Sequence, residues 1–163
     1  MRKTFVLSLL AACGFLCVLA APASAQQSLF GVGPKIGYYL DGVFMLGGVV
    51  EFPITKSWIL EPGVELIFEE NSTTRIVIDG NVRYAFQLRG QTFSPYLLAG
   101  LGLAIDVQSR GGSTVTQTNL EANLGGGLTF NTRSDMQPWA GLKIFIQGED
   151  SDVGLQGGVN FYL

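Results

Sequence analysis

The feature that most constrains this chain is a strict alternation of apolar and polar residues over residues 57–69. The even positions are all apolar and run from Trp58 to Phe68, whereas the odd positions include the carboxylates Glu61, Glu65 and Glu69. A period of two is typical of a β-strand whose two faces meet different surroundings. A helix would mix the two sets, because its period is 3.6 residues. The segment therefore predicts a strand with one apolar face and one acidic face.

The same alternation continues along the chain and predicts further strands. Residues 73–89 repeat it, and the short polar connection before them indicates a β-hairpin. Six more segments alternate in the same way, at residues 29–40, 43–52, 92–108, 114–131, 136–147 and 153–163. The sequence therefore predicts an all-β fold, an eight-stranded antiparallel up-and-down transmembrane β-barrel.

The N-terminus has the features of a cleaved secretory signal peptide. Arg2 and Lys3 precede a long apolar run, and Ala23-Ser24-Ala25 provides an A-x-A cleavage site. We therefore predict a signal peptide at 1–25 and a barrel domain at 26–163. The segment Leu10-Ala11-Ala12-Cys13 also looks like a lipoprotein cleavage motif, but the apolar run continues well past it, so ordinary cleavage is favoured.

Composition distinguishes a membrane protein from a water-soluble one. Charged residues make up 14% of the chain and the mean hydropathy is +0.33, whereas soluble domains carry about 25% charged residues. After residue 25, no segment approaches the roughly 20 apolar residues that a membrane helix needs. A closed barrel is the other structure that satisfies every backbone group in lipid.

The aromatic residues predict which face of the barrel points outward. A soluble, lipocalin-like barrel also alternates, but its core would not gather aromatic side chains at one end. When the strands are placed alternately up and down, seven aromatics of the apolar face fall at one rim, which is typical of an aromatic girdle at a membrane interface. These residues are Phe30, Phe52, Trp58, Phe86, Phe93, Phe130 and Phe161.

Charged residues of the opposite face are then predicted to line the lumen. An eight-stranded lumen is just wide enough for side chains to fill it, and buried charges must be paired. We predict a lumen charge network of Lys35, Glu51, Glu61, Glu65, Glu69, Arg75, Asp79, Arg83, Glu121 and Lys143. A cation-binding or acid–base site built from the same carboxylates is the alternative, and the structural network is favoured over it.

One strand register suggests how these charges pair. With Glu69 facing Arg75, Glu61 would face Arg83 and Glu65 would lie beside Asp79, which then needs a cation from Lys35 or Lys143. The same assignment of faces predicts that Val64→Arg costs about 2–4 kcal/mol at the lipid midplane. It also predicts that Glu65→Gln is far better tolerated.

Two segments resemble a known group of proteins. Residues 94–102, SPYLLAGLG, look like the Pro-Tyr-hydrophobic-x-Gly-x-Gly strand of the small porin-like outer-membrane β-barrel proteins of Gram-negative bacteria, which include the transmembrane domain of outer-membrane protein A. The C-terminal residues Gln156, Gly158, Phe161 and Leu163 match the assembly signal of such barrels, with Leu where Phe is commoner. The resemblance implies a location in the outer membrane, contact with outer-membrane lipid, and the barrel-assembly machinery as a partner during biogenesis. Tyr162 faces the lumen and lies outside the signal, so Tyr162→Ala is predicted to harm assembly less than deletion of residues 161–163.

The residue types that are missing limit the chemistry. The sequence has no histidine, and both cysteines, Cys13 and Cys17, fall in the predicted signal peptide. A Ser-His triad and the usual histidine-bearing metal sites are therefore excluded. We predict that the protein is not an enzyme and that it binds neither a cofactor nor nucleic acid. The predicted function is a non-enzymatic structural or surface role. A narrow channel for small solutes is the alternative, and a surface binding or adhesion module is the third possibility.

Overall fold

Eight antiparallel strands make up the regular secondary structure of the described residues. The computed structural model describes residues 30–68, 73–88, 90–110, 113–130, 135–148 and 150–163. The strands are β1 (Gly31–Tyr39), β2 (Phe44–Pro53), β3 (Trp58–Phe68), β4 (Thr73–Ala85), β5 (Phe93–Arg110), β6 (Ser113–Phe130), β7 (Met136–Gln147) and β8 (Asp150–Tyr162). No helix among the described residues is long and apolar enough to span a membrane.

The strands close into a barrel in which each one pairs with its neighbours in sequence. β8 returns to β1, where Tyr162 lies opposite Gly31 and Gly154 lies opposite Tyr39. Burial alternates along β1 without exception, with the odd-numbered residues buried and the even-numbered ones exposed. The alternation read from the sequence therefore corresponds to lumen-facing and outward-facing side chains, and the predicted number of strands is confirmed.

The outward face is apolar along the strands. Large hydrophobic side chains such as Ile36, Val64, Leu101 and Leu142 are exposed there, with Val64 42% and Leu101 58% accessible. A soluble monomer rarely exposes a continuous apolar surface of this kind. This surface suits a lipid environment, in which outward positions are apolar and lumen positions are polar.

The seven aromatics of the predicted girdle lie on the outward face, at the strand ends nearest the chain termini. The rings of Phe30 and Phe52 stack with centroids 6.4 Å apart, and Phe93 lies opposite Phe130 across β5 and β6. Tyr84, which the sequence argument did not include, fills the space between Trp58 and Phe86, with ring centroids 4.9 and 5.0 Å away. Six of the seven are exposed, and Phe93 is half-buried.

The register between β3 and β4 corrects the sequence-based prediction by two residues. Arg83 lies opposite Ile59 and Glu61 lies opposite Asn81, so the predicted position of Arg83 directly across from Glu61 is wrong. Arg75 lies opposite Ile67, and Glu69, its predicted partner, lies outside the described residues. The observed register places Val77 opposite Glu65. It therefore avoids two carboxylates directly opposite each other, which would be destabilising.

The longest hairpin was also predicted too short. β5 and β6 stay paired up to Arg110 opposite Ser113, whereas the sequence indicated a loop from residue 109. β6 pairs with β7 only from Ala122 to Thr129. The N-terminal part of β6, from Ser113 to Glu121, therefore has a strand partner on one side only within the described structure.

Candidate functional site

The middle of the lumen holds a compact cluster of four buried charges. Lys35 Nζ lies 2.8 Å from Glu65 Oε1 and 3.7 Å from Asp79 Oδ2. Lys143 Nζ lies 2.7 Å from the same Glu65 oxygen and 2.5 Å from the same Asp79 oxygen. Four side chains from β1, β3, β4 and β7 thus meet with two positive and two negative charges. This balance allows the charges to be buried, because each has an opposite charge and hydrogen bonds in place of water.

Lys35 reaches this cluster by lying across the neighbouring strand. A Cβ added to Gly47 of β2 would sit 3.0 Å from Lys35 Cε and 2.4 Å from the Val64 carbonyl oxygen. Any larger residue at position 47 would therefore compete with the lysine side chain for the same space. Gly47 explains how a side chain of β1 can pair with Glu65 of β3.

A second group of charges lies nearer the end that carries the termini. Arg83 Nε is 2.9 Å from Glu61 Oε2, and the guanidinium also pairs with Glu51. Glu51 further accepts hydrogen bonds from the side chains of Asn160 and Tyr162. Arg83 and Glu61 therefore pair diagonally, because the arginine is long enough to span the two-residue offset. Four strands, β2, β3, β4 and β8, are joined by this group.

A third group lies at the opposite end of the lumen. Arg75 is 3.0 Å from Glu121 Oε2 and 3.7 Å from Asp106 Oδ1, and it also donates to the Gln147 side chain. Between this group and the middle cluster lies a layer of buried apolar side chains: Tyr39, Met45, Ile67, Val77, Ala104 and Phe145. Tyr39 links the layer to the cluster, because its hydroxyl donates to Glu65 Oε2 over 3.2 Å.

The structure brings nine of the ten predicted network residues into these three groups. Glu69, the tenth, lies outside the described residues. Sequence reasoning missed the polar partners that complete the groups, namely Tyr39, Asn81, Asn123, Gln147, Asn160 and Tyr162. Their positions on the lumen side of the same alternating pattern were the available signal, but the prediction considered charged residues alone.

The residues of the predicted assembly signal lie on both faces of the last strand. Phe161 is exposed and lies opposite Val32 of β1 and Met136 of β7. Gln156 is buried in the lumen, Gly158 pairs with Lys35 of β1, and Leu163 follows the strand with its side chain exposed. The outward face of this strand is thus continuous with the apolar surface of the barrel.

A small space lies between these groups in the lumen. A cavity of about 20 Å³ is bordered by Lys35, Glu61, Tyr96, Trp139 and Gln156, among others, and this is room for roughly one water molecule. Among the described residues, no group of three or more acidic, histidine or cysteine side chains is arranged to hold a metal ion. Chemically, the arrangement can cross-link strands and fill the lumen.

Solved structures provide the comparison, since no protein-family model and no curated protein matches the chain. The N-terminal β-barrel domain of Pseudomonas aeruginosa OprF superimposes with a TM-score of 0.73 at 20% identity, covering 84% of this chain and 98% of that one. Neisserial surface protein A gives 0.68 at 16% identity, covering 82% and 97%. The fold is that of the eight-stranded outer-membrane barrels.

Other solved barrels of the same fold have names that describe different activities. Ail, the attachment invasion locus protein of Yersinia pestis, superimposes with a TM-score of 0.59 at 16% identity, covering 83% of this chain and 96% of Ail. The outer-membrane enzyme PagL gives 0.55 at 16% identity, covering 82% and 99%. The fold therefore occurs in both an attachment protein and an enzyme, and it does not by itself assign an activity.

Proposed function

We propose that this protein is a non-enzymatic integral barrel of the Gram-negative outer membrane with a structural or surface role and a closed lumen. The observation that carries the proposal is the packing of the lumen. The ion-paired cluster of Lys35, Glu65, Asp79 and Lys143 joins strands from opposite sides of the barrel, and all four side chains are almost completely buried. Such a core stabilises a barrel, and it supports a lumen that is closed to solutes.

Location in the outer membrane rests on three independent features. The outward surface is apolar, the aromatic side chains collect at one rim, and the N-terminus has the pattern of a secretory signal peptide. The similar solved structures agree with this location at the level of fold. Lipid around the barrel and the assembly machinery during biogenesis are the partners that this location requires.

The absence of histidine from the whole sequence supports a non-enzymatic role. A hydrolase of this fold needs an activated nucleophile, and the usual activating base is an imidazole. Here the carboxylates Glu51, Glu61, Glu65 and Asp79 are instead engaged with arginine and lysine side chains. Ion pairs of this kind hold strands together.

Conductance in a planar lipid bilayer tests whether the lumen is closed. We expect the purified, folded protein to insert without producing regular conductance steps, whereas a general porin inserted under the same conditions produces them. Reproducible steps that disappear when the barrel is denatured would contradict the closed lumen and favour the narrow channel.

A further inference from the structure

The N-terminal part of β6 forms a free strand edge. β6 begins at Ser113, but its pairing with β7 begins only at Ala122, while its other side stays paired with β5 throughout. At roughly 3.3 Å per residue, the free edge is about 30 Å long. Alternate backbone N–H and C=O groups along it point away from the hairpin and have no strand beside them in the described structure.

This edge lies beyond the apolar band of the barrel. The outward positions of β6 change from Leu124, Ala122 and Leu120 to Thr118 and Thr116, and residues 115–118 are exposed on both faces. A free edge within lipid would leave backbone groups unsatisfied at a cost of several kcal/mol each. In water the same groups can exchange a solvent partner for a strand.

The edge also lacks the features that usually protect such a strand. Natural edge strands are blunted by lysine, by proline or by other charges. Between Ser113 and Leu120 the sequence is STVTQTNL, which contains no charged residue and no proline. Threonine and valine are residues that favour strands. The edge is therefore open to pairing.

The charges around the edge indicate what kind of strand would fit. At this end of the barrel, the described acidic side chains are Asp41, Asp106, Glu121, Asp150 and Asp152. Arg75 is the cation among the described side chains there, and it is already paired with Glu121 and Asp106. The excess negative charge favours a basic partner and disfavours an acidic one.

A second copy of this chain fits the edge poorly. Two barrels in one membrane would be related by an axis along the membrane normal, and strands of such barrels tilt by about 35–45°. Two β6 edges related in that way would cross steeply and could not run side by side. We propose that the β6 edge, from Ser113 to Glu121, binds an extended, basic peptide segment of a partner protein by adding it as a strand.

A pair of synthetic peptides tests this binding on the full chain in detergent micelles. In the first, lysine alternates with valine. The second has the same side chains, but all of its backbone nitrogens are methylated, so that it cannot donate hydrogen bonds along either edge. The first peptide should slow amide hydrogen exchange in residues 113–121 by about tenfold, which corresponds to 1.4 kcal/mol. The methylated peptide should leave exchange unchanged.

Positive charge added to the edge provides a matched control. Thr116 and Thr118 are exposed, so the double substitution T116K/T118K should leave the barrel folded. It should weaken binding of the lysine peptide and strengthen binding of a peptide in which glutamate replaces lysine.

Three results would overturn the proposal. The first is equal binding of the plain and methylated peptides, which would mean attraction by charge alone. The second is a failure of the plain peptide to protect residues 113–121, whether it does not bind or protects other residues instead. The third is protection of the edge in the free protein that increases with protein concentration, which would identify a second copy as the occupant.

Discussion

The hydroxyl of Tyr162 in the last strand donates a hydrogen bond to Glu51 in the second strand, although β1 lies between them. The side chains meet above Gly31, where an added Cβ would lie 3.1 Å from the tyrosine ring and 3.3 Å from the Glu51 carboxylate. The same hydroxyl lies 2.7 Å from the side-chain oxygen of Gln137 of β7. Tyr162 therefore connects the strands on both sides of the β1–β8 closure.

Replacement of Tyr162 should weaken the closure of the barrel. Tyr162→Phe keeps the ring but leaves Glu51 without one of its donors, and loss of a hydrogen bond to a charged group costs about 1.5–3 kcal/mol. We expect that decrease in the free energy of unfolding, measured by urea titration in lipid vesicles. Tyr38→Phe is the control, because Tyr38 faces outward and is exposed; an equal effect of both changes would contradict the role given to Tyr162.

Replacement of Glu65 should also destabilise the folded protein more than the alternating pattern indicated. Glu65 is completely buried and contacts both Lys35 and Lys143. Glu65→Gln leaves two lysines facing Asp79 alone, and breaking a buried ion pair in this way costs about 3–5 kcal/mol. From the structure we therefore expect Glu65→Gln to lower the free energy of unfolding at least as much as Val64→Arg, whereas the alternating pattern alone predicts that it is far better tolerated.

A double substitution separates charge balance from packing at the same site. Adding Lys143→Met to Glu65→Gln leaves Lys35 with Asp79, which restores neutrality. The double variant should be more stable than the sum of the two single changes predicts. Strict additivity of the three unfolding free energies would show that the cluster is not electrically coupled.

Val64 tests the outward face directly. Its side chain is exposed on the barrel surface, opposite Ile78 of β4. Val64→Arg should destabilise the folded protein by about 2–4 kcal/mol in lipid, because this position lies near the middle of the apolar band. Val64→Leu is the matched apolar control, and an arginine variant as stable as the leucine variant would mean that this face does not contact lipid.

The sequence predicted the strands and their faces, but it could not predict the register. Alternation distinguishes only odd from even residues, and a shift of two residues keeps every side chain on its own face. The pattern therefore placed Glu61 in the lumen, but the residue predicted to lie opposite it, Arg83, is two positions away from the residue that does. The sequence did predict that Glu65 and Asp79 need a cation from Lys35 or Lys143, and both lysines contact these carboxylates. It could not predict that the two lysines meet at the same pair, because alternation contains no distances across the lumen.

The full length of β5 and β6 could not be predicted from the sequence for the same reason. The alternating pattern covers residues 114–131, but it does not say where a neighbouring strand stops. Gly148, which has a positive φ of 64°, turns the chain between β7 and β8 and so ends the pairing of β7 with β6. Two strands must be compared to find a free edge, and a pattern within one strand cannot show it.

The last strand should decide whether the barrel assembles. Phe161 and Tyr162 pair with Val32 and Gly31 and thereby close the barrel. Deletion of residues 161–163 should leave export intact, because the predicted signal peptide is unchanged, but the folded form should be lost from the outer membrane. An undiminished folded band in the deletion variant would show that these residues neither close the barrel nor direct its assembly.

Gel mobility of the full chain in separated membrane fractions tests the central claim most directly. A closed outer-membrane barrel resists detergent at room temperature and unfolds on boiling. We therefore predict that the protein is found in the outer-membrane fraction, and that it migrates faster unboiled than boiled. Recovery in the soluble periplasmic fraction, with no change of mobility on heating, would contradict the account and favour a water-soluble barrel.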